Sequence, residues 1–438
     1  MARSDIGTDI NLNGVGQEMY EFITDLYPIC RSITGDGLRK TLHLIEKHIP
    51  LNINEVKSGT AVFDWTVPKE WNIRDAYIKN SSGEKVVDFK KSNLHVLNYS
   101  IPINQKMPLS ELKAHLFSLP DRPDWIPYRT SYYKENWGFC ISHNQLLELK
   151  DEEYEVYIDS SLEDGHLTYG EYYIKGEKDD EVLLSCHSCH PSLANDNLAG
   201  IALATYLAKY LSEISPSYSY RFIFIPGTIG SITWLAENEA HVDKIKHGLV
   251  LTCLGDPGKS HYKKSRRGDA EIDKAVIHVL QRSGQDYEIQ EFSPYGYDER
   301  QFCSPGFNLP VGCFMRSPHG TYPQYHTSAD NLDLVQPQYL ADSFSKILSV
   351  LQIIENNKKY LNQNPKCEPQ LGKRGLYSAI GGLTDTKKTE MAMLWILNFS
   401  DGNHTLLDIA EKSGLEFGLI KKTADTLLQF NLLKECLE

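Results

Sequence analysis

From Glu181 to about Tyr360, short apolar runs alternate with longer segments whose apolar residues recur every three or four positions. Val182-Leu183-Leu184, Tyr220 to Ile225, Gly248 to Leu254 and Val311 to Met315 read as buried strands. Leu198 to Leu211, Ser231 to Asn238, Ala270 to Arg282 and Pro337 to Asn356 read as helices. Strands alternating with helices predict an α/β fold, a mostly parallel sheet covered on both faces. Such sheets carry their chemistry at the C-terminal ends of the strands.

The flanking segments follow other patterns. Met19, Phe22, Ile23 and Leu26, then Leu38, Leu42, Leu44 and Ile45, predict two amphipathic helices. The loop between them, Arg31 to Gly37, is either a connector or the lip of a site. Residues 55–175 are dense in proline and aromatics, with β-type runs at Glu84 to Phe89, Leu94 to Tyr99 and Tyr154 to Ile158, and a strand pair over Gly165 to Lys175. The patch Tyr132-Tyr133 with Trp137-Gly138-Phe139 reads as the core of this β-rich unit. Residues 357–388 read as a linker. Beyond it, Glu390 to Asn398, a Thr405-capped helix Leu406 to Ser413, a turn at Gly414 and Glu416 to Phe430 form a helix-turn-helix. The expected domains are 1–54 with 176–370 as the α/β body, 55–175 as an insertion, and 385–438 as the helix-turn-helix module.

Length and charge narrow the function. A chain of 438 residues accommodates two or three domains, and a net charge of −13 argues against a surface that tracks phosphates. Residues 385–438 carry nine acidic against six basic side chains, with only Lys421 and Lys422 on the would-be recognition helix. That balance argues against nucleic acid and favours a protein-contact or dimerising module, which leaves a homo-oligomer open. Met1 to Gly14 is polar, no run has the length of a membrane span, and nine cysteines are scattered along the chain. A cytoplasmic protein with reduced thiols and no membrane partner is expected.

Two clusters at strand ends carry candidate chemistry. The first is Cys186-His187-Ser188-Cys189-His190 followed by Asn195-Asp196-Asn197, between a strand and a helix. Imidazole nitrogen and carboxylate oxygen suit Zn²⁺, and a carboxylate can bridge two ions. The Cys-x-x-Cys spacing is a lesser, redox alternative. The second, Ser317 to Asn331, offers His326 as a ligand and His319 as a substrate contact or a loop residue. Asp330 in it either orients an imidazole or caps the next helix. Asp256 after the third strand is a ligand candidate or a turn former, and Tyr297-Asp298-Glu299-Arg300 is a loop rich in reactive groups.

At these clusters the chain resembles M28-type zinc aminopeptidases: His187, Asp196-Asn197 and Ala199-Gly200 match one metal segment, and Tyr325-His326-Thr327-Ser328-Ala329-Asp330 a later one. Cys189 to Leu198, Pro226 to Ser231 and Tyr295 to Gln301 are similar to a bacterial aminopeptidase-like subfamily (DUF4910/DUF2172), sometimes labelled polysaccharide-biosynthesis proteins. The resemblance implies a three-layer α/β/α zinc-exopeptidase-like core with an inserted β-rich domain and a C-terminal winged helix. It implies one zinc site of His187, Asp196 and Asp256, with Asp196 bridging to a second that includes His326. The chain departs from the pattern after the strand ending at Ile225, where the group carries a Glu-Glu pair and this sequence has Gly227-Thr228. His190 is the replacement ligand to expect, and Glu299 or Asp298 the replacement base. Tyr297, Arg300 and His319 are the expected substrate contacts, with Arg266-Arg267 an alternative clamp or a structural ion pair.

The expected activity is hydrolysis of a small peptide or amide substrate by water activated on one or two zinc ions. The rivals are an altered metal-binding protein of polysaccharide biosynthesis, without peptidase activity, and a regulator acting through the helix-turn-helix.

Overall fold

The computed structural model describes residues 11–376 and 384–436. The described residues fall into two compact units: one holds 11–270 and 286–345, the other 271–285, 346–376 and 384–436.

The first unit is organised by an eight-stranded sheet. Its order is Asn52–Lys57, His166–Ile174, Ser219–Ile225, Glu181–His187, Ile245–Leu251, Val311–Met315, Ser260–Lys263, Tyr287–Gln290. The four strands from Ser219–Ile225 to Val311–Met315 run parallel, and antiparallel strands flank them. Every residue of Glu181–His187 is buried, which is why this strand reads as a continuous apolar run rather than an alternation. Leu183 is wholly buried, and truncating it to alanine would cost about 2–5 kcal/mol. Helix Ala199–Ser212 is buried over most of its surface, as its Ala/Leu composition requires.

Helix Leu12–Leu26 buries Gly16, Met19, Phe22, Ile23 and Leu26 on one stripe. Gly16 has no freedom to change: a Cβ there would lie 2.4 Å from the Pro337 carbonyl oxygen. The loop before helix Asp36–Glu46 is no solvated connector. Residues 31–35 are buried, and Arg31 donates from Nε to the His190 carbonyl (2.8 Å) and from Nη1 to the Leu26 carbonyl (2.8 Å).

The stretch expected as an insertion carries an antiparallel sheet of its own, Lys85–Asp88, Glu70–Lys79, Glu153–Glu163 and Ile103–Pro108, but falls in the same compact unit as the α/β body. Two expectations need correction. Gly165 to Lys175 is not a strand pair of the insertion: His166–Ile174 is one strand of the large sheet, hydrogen-bonded to Ser219–Ile225. Leu94 to Tyr99 forms no strand, only a short turn of helix at Asn93–His95. Leu94, Val96, Leu97 and Tyr99 are buried all the same, and the pairing of this stretch is reduced to isolated bridges, Val96 with Phe139 and Asn98 with Thr130.

In the second unit Thr405 caps helix Leu406–Ser413 through a reciprocal bond with Asp408, and Gly414 takes the left-handed conformation that ends it. Helix Phe417–Gln429 follows, and a three-stranded sheet of Asp401–Thr405, Lys359–Asn362 and Leu433–Glu435 supplies the wing. Lys359–Asn362 is thus a strand and not linker, while residues 377–383 of the expected linker lie outside the described residues. Helix Glu271–Arg282 groups with this unit rather than with the α/β body, and His278 bonds Glu411 and receives the Phe417 N–H (3.3 Å).

Candidate metal centre

His187 is the last residue of its strand, and the chain then folds through His190 to Asp196 before helix Ala199–Ser212 begins. One donor atom each from His187, His190 and Asp196 lies within 4.8 Å of the other two, all three side chains being buried. Asp196 Oδ1 is 2.8 Å from His187 Nε2, and Oδ2 is 3.0 Å from His326 Nε2. Among the described residues neither Asp196 Oδ2 nor His326 Nε2 has a hydrogen-bond partner, although both atoms are buried. A second set, Asp196, Cys253 and His319, also has its donor atoms within 4.8 Å of one another.

Electrostatics fit ligation. Burial pushes the Asp196 carboxyl up, but His190 and the neighbouring His187 and His326 rings outweigh it and hold the group well below the usual carboxylate range. Burial pushes His190 well below the ordinary imidazole value, so it is a neutral lone-pair donor. An anionic carboxylate and neutral imidazoles are the protonation states a zinc site uses. Two orphaned buried atoms facing each other across Asp196 and His326 meet the same requirement: a cation would satisfy both. The donor set fits zinc, with His187, His190, Asp196 and His326 to hold it.

The frame behind the donors is hydrogen-bonded. Asn197 donates to the Leu251 carbonyl (3.0 Å) and accepts from the N–H of Gly200 (3.1 Å) and of Cys253 (3.3 Å), tying two strand ends together. Among the described residues Asp330 bonds no imidazole, and it serves the start of the helical segment Ala194–Leu198 rather than the helix that follows it in the chain. Its carboxylate accepts the backbone N–H of Asn195 (2.6 Å) and Asp196 (3.1 Å), and burial raises its pKa to about 8.

Other expected site residues stand elsewhere. Asp256 belongs to neither donor set. It accepts from Asn195 Nδ2 (2.9 Å), Ser317 Oγ (2.5 Å) and the Gly258 N–H (2.7 Å), so its turn-forming reading describes it better. Asp298 accepts from Ser231 Oγ at 2.8 Å, and burial raises its pKa to about 8. Glu299 is buried in an ion pair with Lys263 and accepts the Tyr297 N–H at 3.0 Å. Both carboxylates thus brace the loop that carries Tyr297. Arg300 is exposed and donates to the Pro294 carbonyl (3.5 Å), while Arg266 and Arg267 bond Asn308. Tyr297 and His319 do enter the site: the Tyr297 ring lies 4.1 Å from that of His187 and 5.7 Å from that of His319. Cys186 and Cys189 are free thiols, and Cys189 Sγ is 3.6 Å from the Tyr297 hydroxyl.

Sequence reasoning missed three groups. Tyr128, from the insertion, packs its ring 5.0 Å from His190 and 5.1 Å from His326. Its backbone N–H donates to the His326 carbonyl (2.8 Å) and the Ser328 N–H to the Ile126 carbonyl (2.8 Å), so the insertion is stitched to the late histidine segment. Arg31 braces His190, and only its place in a buried loop signals this. Cys253 had a signal, its position just after a buried strand, but Asp256 stood in the same stretch and offered the more familiar ligand.

Comparison with known proteins shows the family and the fold. Residues 20–357 match the family model described as a domain of unknown function (DUF4910), and residues 358–435 match a winged helix-turn-helix model. A putative polysaccharide biosynthesis protein with aminopeptidase-like domain from Clostridium acetobutylicum is 60% identical over 424 residues, covering 97% of this chain and 98% of that protein. The crystal structure of a putative peptidase from Clostridium acetobutylicum superposes with TM-score 0.93 at 58% identity, over 97% of this chain and 98% of that one. BSAP, a zinc aminopeptidase from Bacillus subtilis, shares the fold at TM-score 0.56 and 12% identity, over 77% and 94% of the two chains. So does a peptidase M28 precursor from Shewanella amazonensis, at TM-score 0.55 and 15% identity, over 79% and 96%. The chain belongs to the DUF4910 family, an aminopeptidase-like α/β fold of the M28 type joined to a C-terminal winged helix.

Proposed function

We propose that this chain is a metal-dependent hydrolase that cleaves an amide bond, with zinc as the ion its donors suit. The observation that carries the reading is Asp196, a buried anion with His187 Nε2 2.8 Å from one oxygen and His326 Nε2 3.0 Å from the other, which has no hydrogen-bond partner among the described residues. Bound zinc would supply a water of pKa near 7 and polarise a carbonyl. The chain supplies the rest. Asp330 and Asn197 hold the backbone on either side of Asp196, and Arg31 fixes His190 through its carbonyl. Tyr128, Tyr297 and Tyr325, whose ring stacks on His326 at 4.0 Å, keep bulk water from the donors.

An amide carried on a sugar suits the approach to this site. Aromatic rings lead outward from His190 through Tyr128, whose hydroxyl is 2.9 Å from that of Tyr132, to Tyr133 and then Trp65, 5.5 Å from Tyr133. Tyr133 and Trp65 are exposed, and such faces offer rigid contact area to the apolar face of a sugar ring. The name of the Clostridium relative, a putative polysaccharide biosynthesis protein, agrees with that choice.

The second reading is a metal-holding protein without hydrolysis. It is favoured by Gly227-Thr228, where no carboxylate stands, and by the engagement of Glu299 with Lys263. One experiment separates the two. The protein is loaded with zinc, its metal content is measured, and aminoacyl anilides, N-acyl amino acids and N-acyl amino sugars are offered with and without chelator. Chelator-sensitive amine release, fastest from the amino sugars, is expected. Retained zinc with no turnover on any substrate selects the second reading.

A further inference from the structure

We propose that Cys253 and His319 form a second cation position that shares Asp196 with the first, so that one carboxylate serves two ions and a thiolate ligates one of them. This rests on the reading of Asp196 as a metal ligand.

Three observations converge on it. The donor atoms of Asp196, Cys253 and His319 meet the same 4.8 Å limit as those of His187, His190 and Asp196, and Asp196 is common to both sets. Asp196 Oδ2 is buried without a hydrogen-bond partner among the described residues, with only the His326 Nε2 orphan 3.0 Å away facing its lone pairs. The place where the family resemblance puts a glutamate ligand is filled by Tyr297, whose ring lies directly against Gly227, so a second ion needs its donors from another wall.

Cys253 is placed for that work. It lies two residues beyond strand Ile245–Leu251 with φ of +50°, a conformation that non-glycine residues rarely adopt. Its N–H is held by Asn197 Oδ1 (3.3 Å) and its carbonyl by the Arg316 N–H (2.9 Å), so both sides of the residue are fixed. Thr252 Oγ1 at 3.5 Å and Tyr322 Oη at 3.8 Å are the sulfur's polar neighbours, hydroxyls of the sort that orient a ligand sulfur. Thr252 Oγ1 also stands 3.2 Å from His319 Nε2, so one hydroxyl braces two of the three donors. Two adjacent buried anions, thiolate and carboxylate, are affordable only with a cation between them. Binding therefore displaces the thiol proton to solvent as the sulfur–metal bond forms. A sulfur, nitrogen and oxygen set suits Zn²⁺ or Co²⁺ and disfavours Mg²⁺ or Ca²⁺.

The test is cobalt titration of the full chain after chelator stripping, followed by absorption. The expected result is a visible ligand-field band together with a near-ultraviolet thiolate-to-cobalt charge-transfer band. Cys253→Ser should lose the near-ultraviolet band, keep the visible one and fall from about two bound equivalents to about one. Cys189→Ser, which removes the sulfur nearest His190, should keep both bands. X-ray absorption at the zinc edge of the unmutated protein provides a measure independent of folding: a sulfur neighbour at about 2.3 Å is expected. Cobalt bound with only the visible band, or a zinc shell without sulfur, overturns the thiolate position while leaving the first ion in place. No bound cobalt at all overturns the metal reading beneath it.

Discussion

The ring of Tyr297 occupies the volume that a side chain at position 227 would need: a Cβ on Gly227 would lie 1.7 Å from Tyr297 Cε1. Glycine at 227 and tyrosine at 297 are therefore one structural decision, in which an aromatic wall against His187 replaces whatever a larger residue at 227 would bring to the site.

The pairing predicts a rescue. Gly227→Glu alone should destabilise the protein by about 1–3 kcal/mol through overpacking and loosen Tyr297 from His187. Adding Tyr297→Ala should recover most of that loss. Urea unfolding of both singles and the double gives the coupling energy, and strict additivity would mean the two residues are independent.

Glu299 and Lys263 form a buried pair, and their loss should read as stability rather than chemistry. Glu299→Gln leaves Lys263 buried without its counter-charge and should cost about 3–5 kcal/mol. Lys263→Met in the same chain should restore most of it. Zinc content is expected to stay unchanged in both variants. A Glu299→Gln protein of full stability that has lost all turnover would instead make Glu299 the proton acceptor.

Asp298 should give the stability a pH dependence opposite to that of a paired carboxylate. Its pKa is raised to about 8, chiefly by burial, so the folded chain holds this proton more tightly than the unfolded one. Its contribution is complete below about pH 4 and is lost as pH rises toward about 8, by at most about 1.4 kcal/mol per pH unit. Asp298→Asn, which mimics the protonated acid, should remove that slope. Denaturant unfolding of both proteins from acid to mildly alkaline pH compares them directly; parallel curves would show that Asp298 is ionised in the fold.

Asp330 acts on the donors through backbone. Because it receives the N–H of Asn195 and of Asp196, Asp330→Ala should weaken zinc binding by about 10–100-fold while removing no ligand. Competition with a chromogenic chelator measures it, and an unchanged affinity would make the contact purely structural.

Tyr128 separates the wall from its anchor. Tyr128→Phe keeps the ring on His190 and His326 and should cost about 1 kcal/mol for the lost bond to Tyr132. Tyr128→Ala opens the site to water and should cost about 3–5 kcal/mol, with faster zinc release than the phenylalanine variant. Equal release rates would deny the ring its role in shielding the donors.

The sequence alone determined the layers. Strand Val311–Met315 and helix Pro337–Asn356 coincide with their expected limits, because an apolar run and a 3.6-residue stripe are local consequences of which faces must be buried. It also determined His187, His190 and Asp196, which lie within ten residues between one strand and the next helix. Only the tertiary structure decided what joined them. Cys253, His319 and Tyr128 come from separate strand ends and from the insertion, and the order of strands in the sheet, not their order in the chain, brings them to Asp196. It likewise turned Asp256 toward Asn195 and Ser317 and left Cys253, three residues earlier, beside the carboxylate. Residue type fixes what a side chain can bind; only backbone direction at the strand end decides whether it joins the donor cluster.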